Sequence, residues 1–154
     1  MPRLSSGLLL FRRREGRLEV LLVHPGGPFW RRRDAGGWSL PKGEHEPNED
    51  SLSAARREFA EELGLPPPAG EAIELGAVKQ PSGKLIHAWA LAADIDVSQI
   101  QSNSFELEWP RGSGELRRFP EVDRAAWFDL ATAREKLIAG QRPLLDLLLE
   151  RVGA

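Results

Sequence analysis

Residues Gly43 to Leu65 read GEHEPNEDSLSAARREFAEELGL. Within this stretch Leu52, Ala55, Phe59 and Leu63 recur three and four apart, as on one side of a helix. The spacing predicts a helix from about Asp50 to Leu63, closed by Gly64. At 100° per residue, Glu58, Glu61 and Glu62 fall within roughly one 100° arc. That arc lies roughly 110° round from the apolar stripe, so one face can pack while another meets solvent and ligand. Carboxylates crowded in this way repel one another. A hard divalent cation bound through oxygen would relieve the repulsion, which makes the segment a candidate catalytic site.

The same residues resemble the signature of the Nudix hydrolases. That signature runs glycine, five residues, glutamate, seven residues, then Arg-Glu-aliphatic-any-Glu-Glu-any-Gly-aliphatic. Gly43, Glu49, Arg57, Glu58, Phe59, Glu61, Glu62, Gly64 and Leu65 fill it, with aromatic Phe59 in place of an aliphatic residue. So many fixed positions in one short stretch are far more specific than a lone glycine-rich triplet. Trp38 to Lys42 and Ala126 to Phe128 are similar to Nudix strand segments as well. The resemblance implies an α/β/α sandwich around a mixed sheet. It also implies a metal held by Glu58, Glu61, Glu62 and the Gly43 carbonyl, with Arg57 and Glu49 as an ion pair that orients loop and helix.

The rest of the chain is compatible with that frame. Its 154 residues suit one domain, expected over 1–154, with room for a real core. A net charge of −2 provides no global drive toward nucleic acid or acidic membranes. The absence of cysteine excludes disulfides, thiolate metal sites and a cysteine nucleophile. Leu8 to Phe11, the one apolar run near the start, is too short for a signal-peptide core or a membrane span. A cytoplasmic protein, monomeric or homodimeric, is expected.

Gly7 to Arg13 and Leu18 to His24 read as a hairpin turning at Glu15-Gly16. Prolines and glycines make His24 to Gly37 a loop, and Trp38 to Leu40 a short strand entering the motif. Ala72 to Gln80 and Lys84 to Ala92 form a second strand pair. Ser104 to Trp109 alternates and returns over Glu115 to Phe119. Arg124 to Phe128 is a further strand, and helices are expected over about 130–139 and 143–152, the second with proline in its first turn. Strands and helices do not alternate regularly, so α+β is favoured over a doubly wound sheet.

Three carboxylates on one helix face suit Mg²⁺ or Mn²⁺, and such a cation meets the electrostatic needs of pyrophosphate hydrolysis. Members of the family differ in which glutamate activates water. Besides the motif glutamates, Glu121 in Phe119-Pro120-Glu121 is a candidate, against a bland role as a solvated loop carboxylate. Lys42 stands where it can meet phosphate. Many relatives have a second glycine there, and the Pro-Lys-Gly form resembles the branch that handles dinucleoside polyphosphates and diphosphoinositol polyphosphates. The Phe29 to Arg33 stretch, with Trp30 and Arg32, can stack a base and bind phosphates, or be a mobile basic loop. Lys84 and His87 lie where a strand could line the cleft, while Trp89, Trp109 and Trp127 read as core. With no tyrosine, an aromatic clamp must use Phe or Trp.

The expected function is a Mg²⁺-dependent hydrolase that cleaves a pyrophosphate bond in a nucleoside diphosphate linked to another group, as in a nucleoside or dinucleoside polyphosphate. A housecleaning pyrophosphatase for oxidised nucleoside triphosphates or sugar-linked diphosphates is the alternative enzyme. A Nudix-fold ligand sensor without turnover is the alternative of another class. The expected partner is a small nucleotide-type molecule rather than a nucleic acid or a membrane.

Overall fold

Two apolar runs, at Leu8–Phe11 and Val20–Val23, lack the in-out alternation of a sheet with a wet face, and the structure shows why. In the computed structural model, which describes residues 3–153, these runs are central strands covered on both faces. Strands β1 (Leu4–Arg14) and β2 (Arg17–Pro25) form the expected hairpin. Its turn uses Glu15 at φ 53° and Gly16 at φ 77°, the left-handed pair that a tight two-residue hairpin needs. Strands β4 (Ile73–Lys79), β5 (Leu85–Ala92) and β8 (Val122–Asp129) complete the order β4-β5-β1-β2-β8, and short β3 (Lys42–Glu44) pairs with β1. β1 and β5 run parallel and the other pairs antiparallel, so the sheet is mixed.

The pleat divides the core into two layers. Leu8, Leu10, Leu21 and Val23 face helix α1 (Ser51–Leu63), where they meet Ala55, Phe59 and Leu63. Leu9, Phe11, Val20 and Leu22 face the other way and pack with Leu144, Leu145 and Leu148 of helix α3 (Pro143–Val152), with short helix α2 (Leu130–Lys136) alongside. This is the expected α/β/α sandwich. Strands β6 (Ser104–Glu108) and β7 (Leu116–Pro120) form a separate hairpin. Among the described residues no helix is long and apolar enough to cross a membrane.

Four local expectations need correction. Trp38 to Leu40 is not a strand. It makes single bridges to β2 and to Leu137, and the strand proper starts at Lys42. Buried Gln141 satisfies part of this backbone instead, accepting from the Leu40 N–H at 3.0 Å and donating to Ser39 Oγ at 2.9 Å. Leu52 is only half-buried, and Ala54 takes its place in the packed stripe. Helix α2 stops at Lys136 rather than near Ala139, because the chain then bridges back to Trp38. Trp109 lies outside both core layers. It packs edge-on against Phe29, linking the β6–β7 hairpin to the loop after β2.

Candidate active site

Helix α1 projects the glutamates because both of its ends are held. Asp50 caps the start by accepting from the Ser53 N–H at 3.0 Å. Gly64 closes the end at φ 68°, where a Cβ would also stand 2.1 Å from the Gln101 carbonyl oxygen. Between them Phe59 and Leu63 anchor the buried face. Arg57 forks onto both oxygens of Glu49 at 3.0 Å each, and reaches Glu58 at 2.8 Å and Glu61 at 3.5 Å. The guanidinium therefore ties the loop before the helix to the carboxylate face, as a planar five-donor group can. Arg57 is held still more firmly in its charged form, chiefly by its bonds to Glu49.

Three carboxylates here, Glu58, Glu62 and Glu121, are under pressure to be neutral. Glu58, only 13% exposed, is pushed up by burial and then by Glu61. Glu62 is pushed up to about 8 by burial, although it accepts a hydrogen bond from the Lys42 N–H and feels the Lys42 charge. Glu121 is raised by burial and by Glu61. Lys42 is lowered by burial and by Lys84, so these two lysines lie within electrostatic reach of each other. Carboxylates from α1 and from the β7–β8 junction thus converge with two cations at one place.

Beside them is a cavity of about 230 Å³, lined by Trp30, Ser39, Lys42, Glu62, Glu121 and Val122 among others. His87 is not there. It lines a second cavity of similar size with His45, Glu49 and Ser51, and its ring stacks on Trp89 and bonds to Glu74 at 2.5 Å. Arg32 is exposed on the loop and lines neither cavity. A wider depression, lined by Arg12, Arg14, Asp94 and Trp127, contains no motif residue.

Gly43 is pressed against Glu58, because a Cβ there would stand 2.0 Å from the Glu58 carboxyl carbon. Only a residue without a side chain lets the carboxylate lie over this backbone. Among the described residues no three acidic or imidazole side chains already form a metal cage. Arg57 occupies Glu58 and Glu61, and Glu62 turns to the Lys42 N–H. The donor set nevertheless fits a hard divalent cation: crowded carboxylates raised by burial and like charge, beside a glycine whose backbone no side chain of its own covers.

The NUDIX domain family model matches residues 1–148. The chain belongs to this family. With the motif carboxylates intact, it is a Nudix pyrophosphohydrolase. Solved structures of similar fold include an Ap4A hydrolase of C. elegans in a binary complex, with TM-score 0.68 and 21% identity over 96% of this chain and 97% of that one. They also include the NUDIX domain of Shewanella oneidensis NrtR complexed with ADP ribose, with TM-score 0.67 and 20% identity over 99% and 89%. A mutT/nudix family protein from Listeria innocua has TM-score 0.64 and 20% identity over 99% and 95%. At such identities the likeness concerns the fold. No curated protein sequence matches the chain significantly.

The Gly43 contact is testable in this Nudix enzyme. In Gly43→Ala the clash falls on the far end of a flexible side chain, so the fold should survive and the Glu58 carboxylate should move. Turnover is expected to drop at least about tenfold, as displaced catalytic groups do, with unchanged circular dichroism. Full activity would show that Gly43 does not place Glu58.

His24, Gly26 and Asp123 were not singled out from the sequence, and each is a chain neighbour of the cavity-lining residues Val23, Pro25 or Val122. The signal for His24 was available: an imidazole directly follows the apolar run Val20–Val23 within a central strand.

Proposed function

We propose that the protein is a Mg²⁺- or Mn²⁺-dependent hydrolase of a nucleoside or dinucleoside polyphosphate, cleaving a pyrophosphate bond next to a nucleoside phosphate. The observation that carries this is the convergence of Glu58, Glu61, Glu62 and Glu121 with Lys42 and Lys84, beside a cavity walled by Trp30. Glu58, Glu61, Glu62 and the Gly43 carbonyl would hold the cation. When bound, it supplies polarisation of a phosphoryl oxygen and neutralisation of charge on the leaving phosphate. Lys42 and Lys84 bind the phosphate chain, and Trp30 offers a face to the base. The similarity to an Ap4A hydrolase and to a NUDIX domain complexed with ADP ribose supports a substrate with two or more linked phosphates.

In the reaction a water oxygen attacks one phosphorus, the bond to the bridging oxygen breaks, and the water proton passes to a carboxylate. Glu121 is the proposed acceptor, since burial and Glu61 raise its proton affinity. Glu121→Gln should then lower kcat about 10²-fold with little change in KM. An unchanged kcat would return the role to a motif glutamate. Substrate class is tested by a panel of nucleoside triphosphates, dinucleoside polyphosphates and sugar-linked diphosphates, with product masses locating the cleaved bond in ¹⁸O water. Turnover is expected to be greatest with polyphosphates. Binding of the panel without turnover at any divalent cation concentration would instead favour a sensor. A cytoplasmic location belongs to the same proposal.

A further inference from the structure

His24, next to last in β2, is wholly buried. Nδ1 stands 2.8 Å from Asp123 Oδ1, and Nε2 contacts the carbonyl oxygen of Arg33. Each ring nitrogen thus faces an oxygen of a different segment, a carboxylate on one side and a backbone carbonyl on the other. The ring also packs edge-on against Trp38, 5.3 Å between centroids. One side chain therefore joins the start of β8 to the far end of the Phe29–Arg33 loop. At the near end of that loop the Gly26 N–H donates to the Glu121 carbonyl oxygen at 2.9 Å. Gly26 can lie that close only because it lacks a Cβ, which would stand 2.0 Å from the Pro120 carbonyl oxygen. Between these attachments hangs Trp30, which lines the cavity together with Glu121. The following residues are tied separately, through Asp34 to Lys136 and Trp38.

We propose that His24, held between Asp123 and the Arg33 carbonyl, is a positioning residue that locks the Trp30-bearing loop against the start of β8 and so holds the substrate cavity in shape. It touches no reacting atom. Its effect passes through the loop backbone, which would otherwise open locally without unfolding the sheet.

Arg31, Arg32 and Arg33 make the loop its own reporter, because each is a trypsin site. In His24→Gln and in Asp123→Ala, cleavage after these arginines should be about tenfold faster than in wild type, the size expected for one lost charge-assisted hydrogen bond. Circular dichroism and cleavage elsewhere should stay unchanged. Asp123→Asn, which keeps a carbonyl acceptor, should fall between wild type and Asp123→Ala. The double variant His24→Gln/Asp123→Ala should be no faster than either single one, because both act through one contact. KM for a dinucleoside polyphosphate should rise about tenfold with kcat within about threefold, since ground-state binding is what a loosened loop loses. Unchanged loop cleavage, or fully additive effects, would overturn the proposal. If the variants do not fold, ¹⁵N spectra of wild-type histidine decide: a His24 ring N–H in slow exchange with water supports it, and one in fast exchange overturns it. The kinetic arm rests on the proposed function, whereas the trypsin and nitrogen-resonance arms do not, so the two can fail separately.

Discussion

Glu58→Gln is expected to lower kcat about 10³-fold at saturating Mg²⁺ while the fold survives, the scale seen when a catalytic ion loses a charged ligand. The amide has the shape of the carboxylate, so it still lies over Gly43 and still accepts from Arg57. What disappears is one negative charge at the metal face. A competing explanation is that activity falls because the Arg57 contact weakens. That contact is partly exposed and Arg57 keeps its fork on Glu49, so its loss is worth ~1 kcal/mol or less, under tenfold in rate. A 10³-fold loss is ~4 kcal/mol, which only a role in the chemistry explains. Glu62→Gln should behave alike. Turnover followed by product release across a metal titration, beside thermal melting of each variant, makes the measurement. Near wild-type kcat in either variant would sink the metal assignment.

How much of this could be read from the chain alone depends on the range of the interaction involved. The helix, its closing glycine and its two faces follow from local spacing, and the structure places Phe59, Leu63 and Gly64 accordingly. The Glu49–Arg57 fork spans the loop-to-helix junction and was legible through the motif. The central strands were legible as apolar runs, but their two-sided burial became apparent only once both helix layers were in place. What remained hidden depends on contacts far apart in sequence. Gln141 satisfies the backbone near Leu40 across about a hundred positions, so a strand-like tripeptide can stay irregular. His24 meets Asp123 over a similar distance. Lys84 comes within electrostatic reach of Lys42 because β3 and β5 both pair with β1, an arrangement that local patterns do not encode. His87 belongs to the same strand pattern as a cleft residue, yet the register turns it toward His45 and Ser51 instead.

Without a divalent cation the protein should lose stability as pH rises, and the cation should restore it. The sign follows from Glu62, whose ordinary value of 4.5 is pushed up to about 8 by burial. Below about pH 4.5 the group is protonated folded or unfolded, and its burial contribution is fully present. Above that the unfolded chain releases the proton while the folded one retains it, and the contribution is lost as pH rises through about 8. Glu58 and Glu121, also raised, act in the same sense. Lys42, lowered by burial, acts oppositely, so the informative comparison is wild type against Glu62→Gln. Melting of the metal-free wild type should fall at least about 5 °C between about pH 6 and 8.5. One unbalanced proton changes stability by ~1.4 kcal/mol per pH unit, and each kcal/mol moves a chain of this size by about 2–4 °C. The Glu62→Gln curve should be distinctly flatter. Millimolar Mg²⁺ or Mn²⁺ binds the ionised carboxylates, so its stabilising effect should grow with pH in wild type and shrink in the variant. A metal-free protein whose melting point holds or rises over this range, or one indifferent to both cations, would mean that the helix face carries no cation and that its crowding is relieved by Arg57 and Lys42 alone.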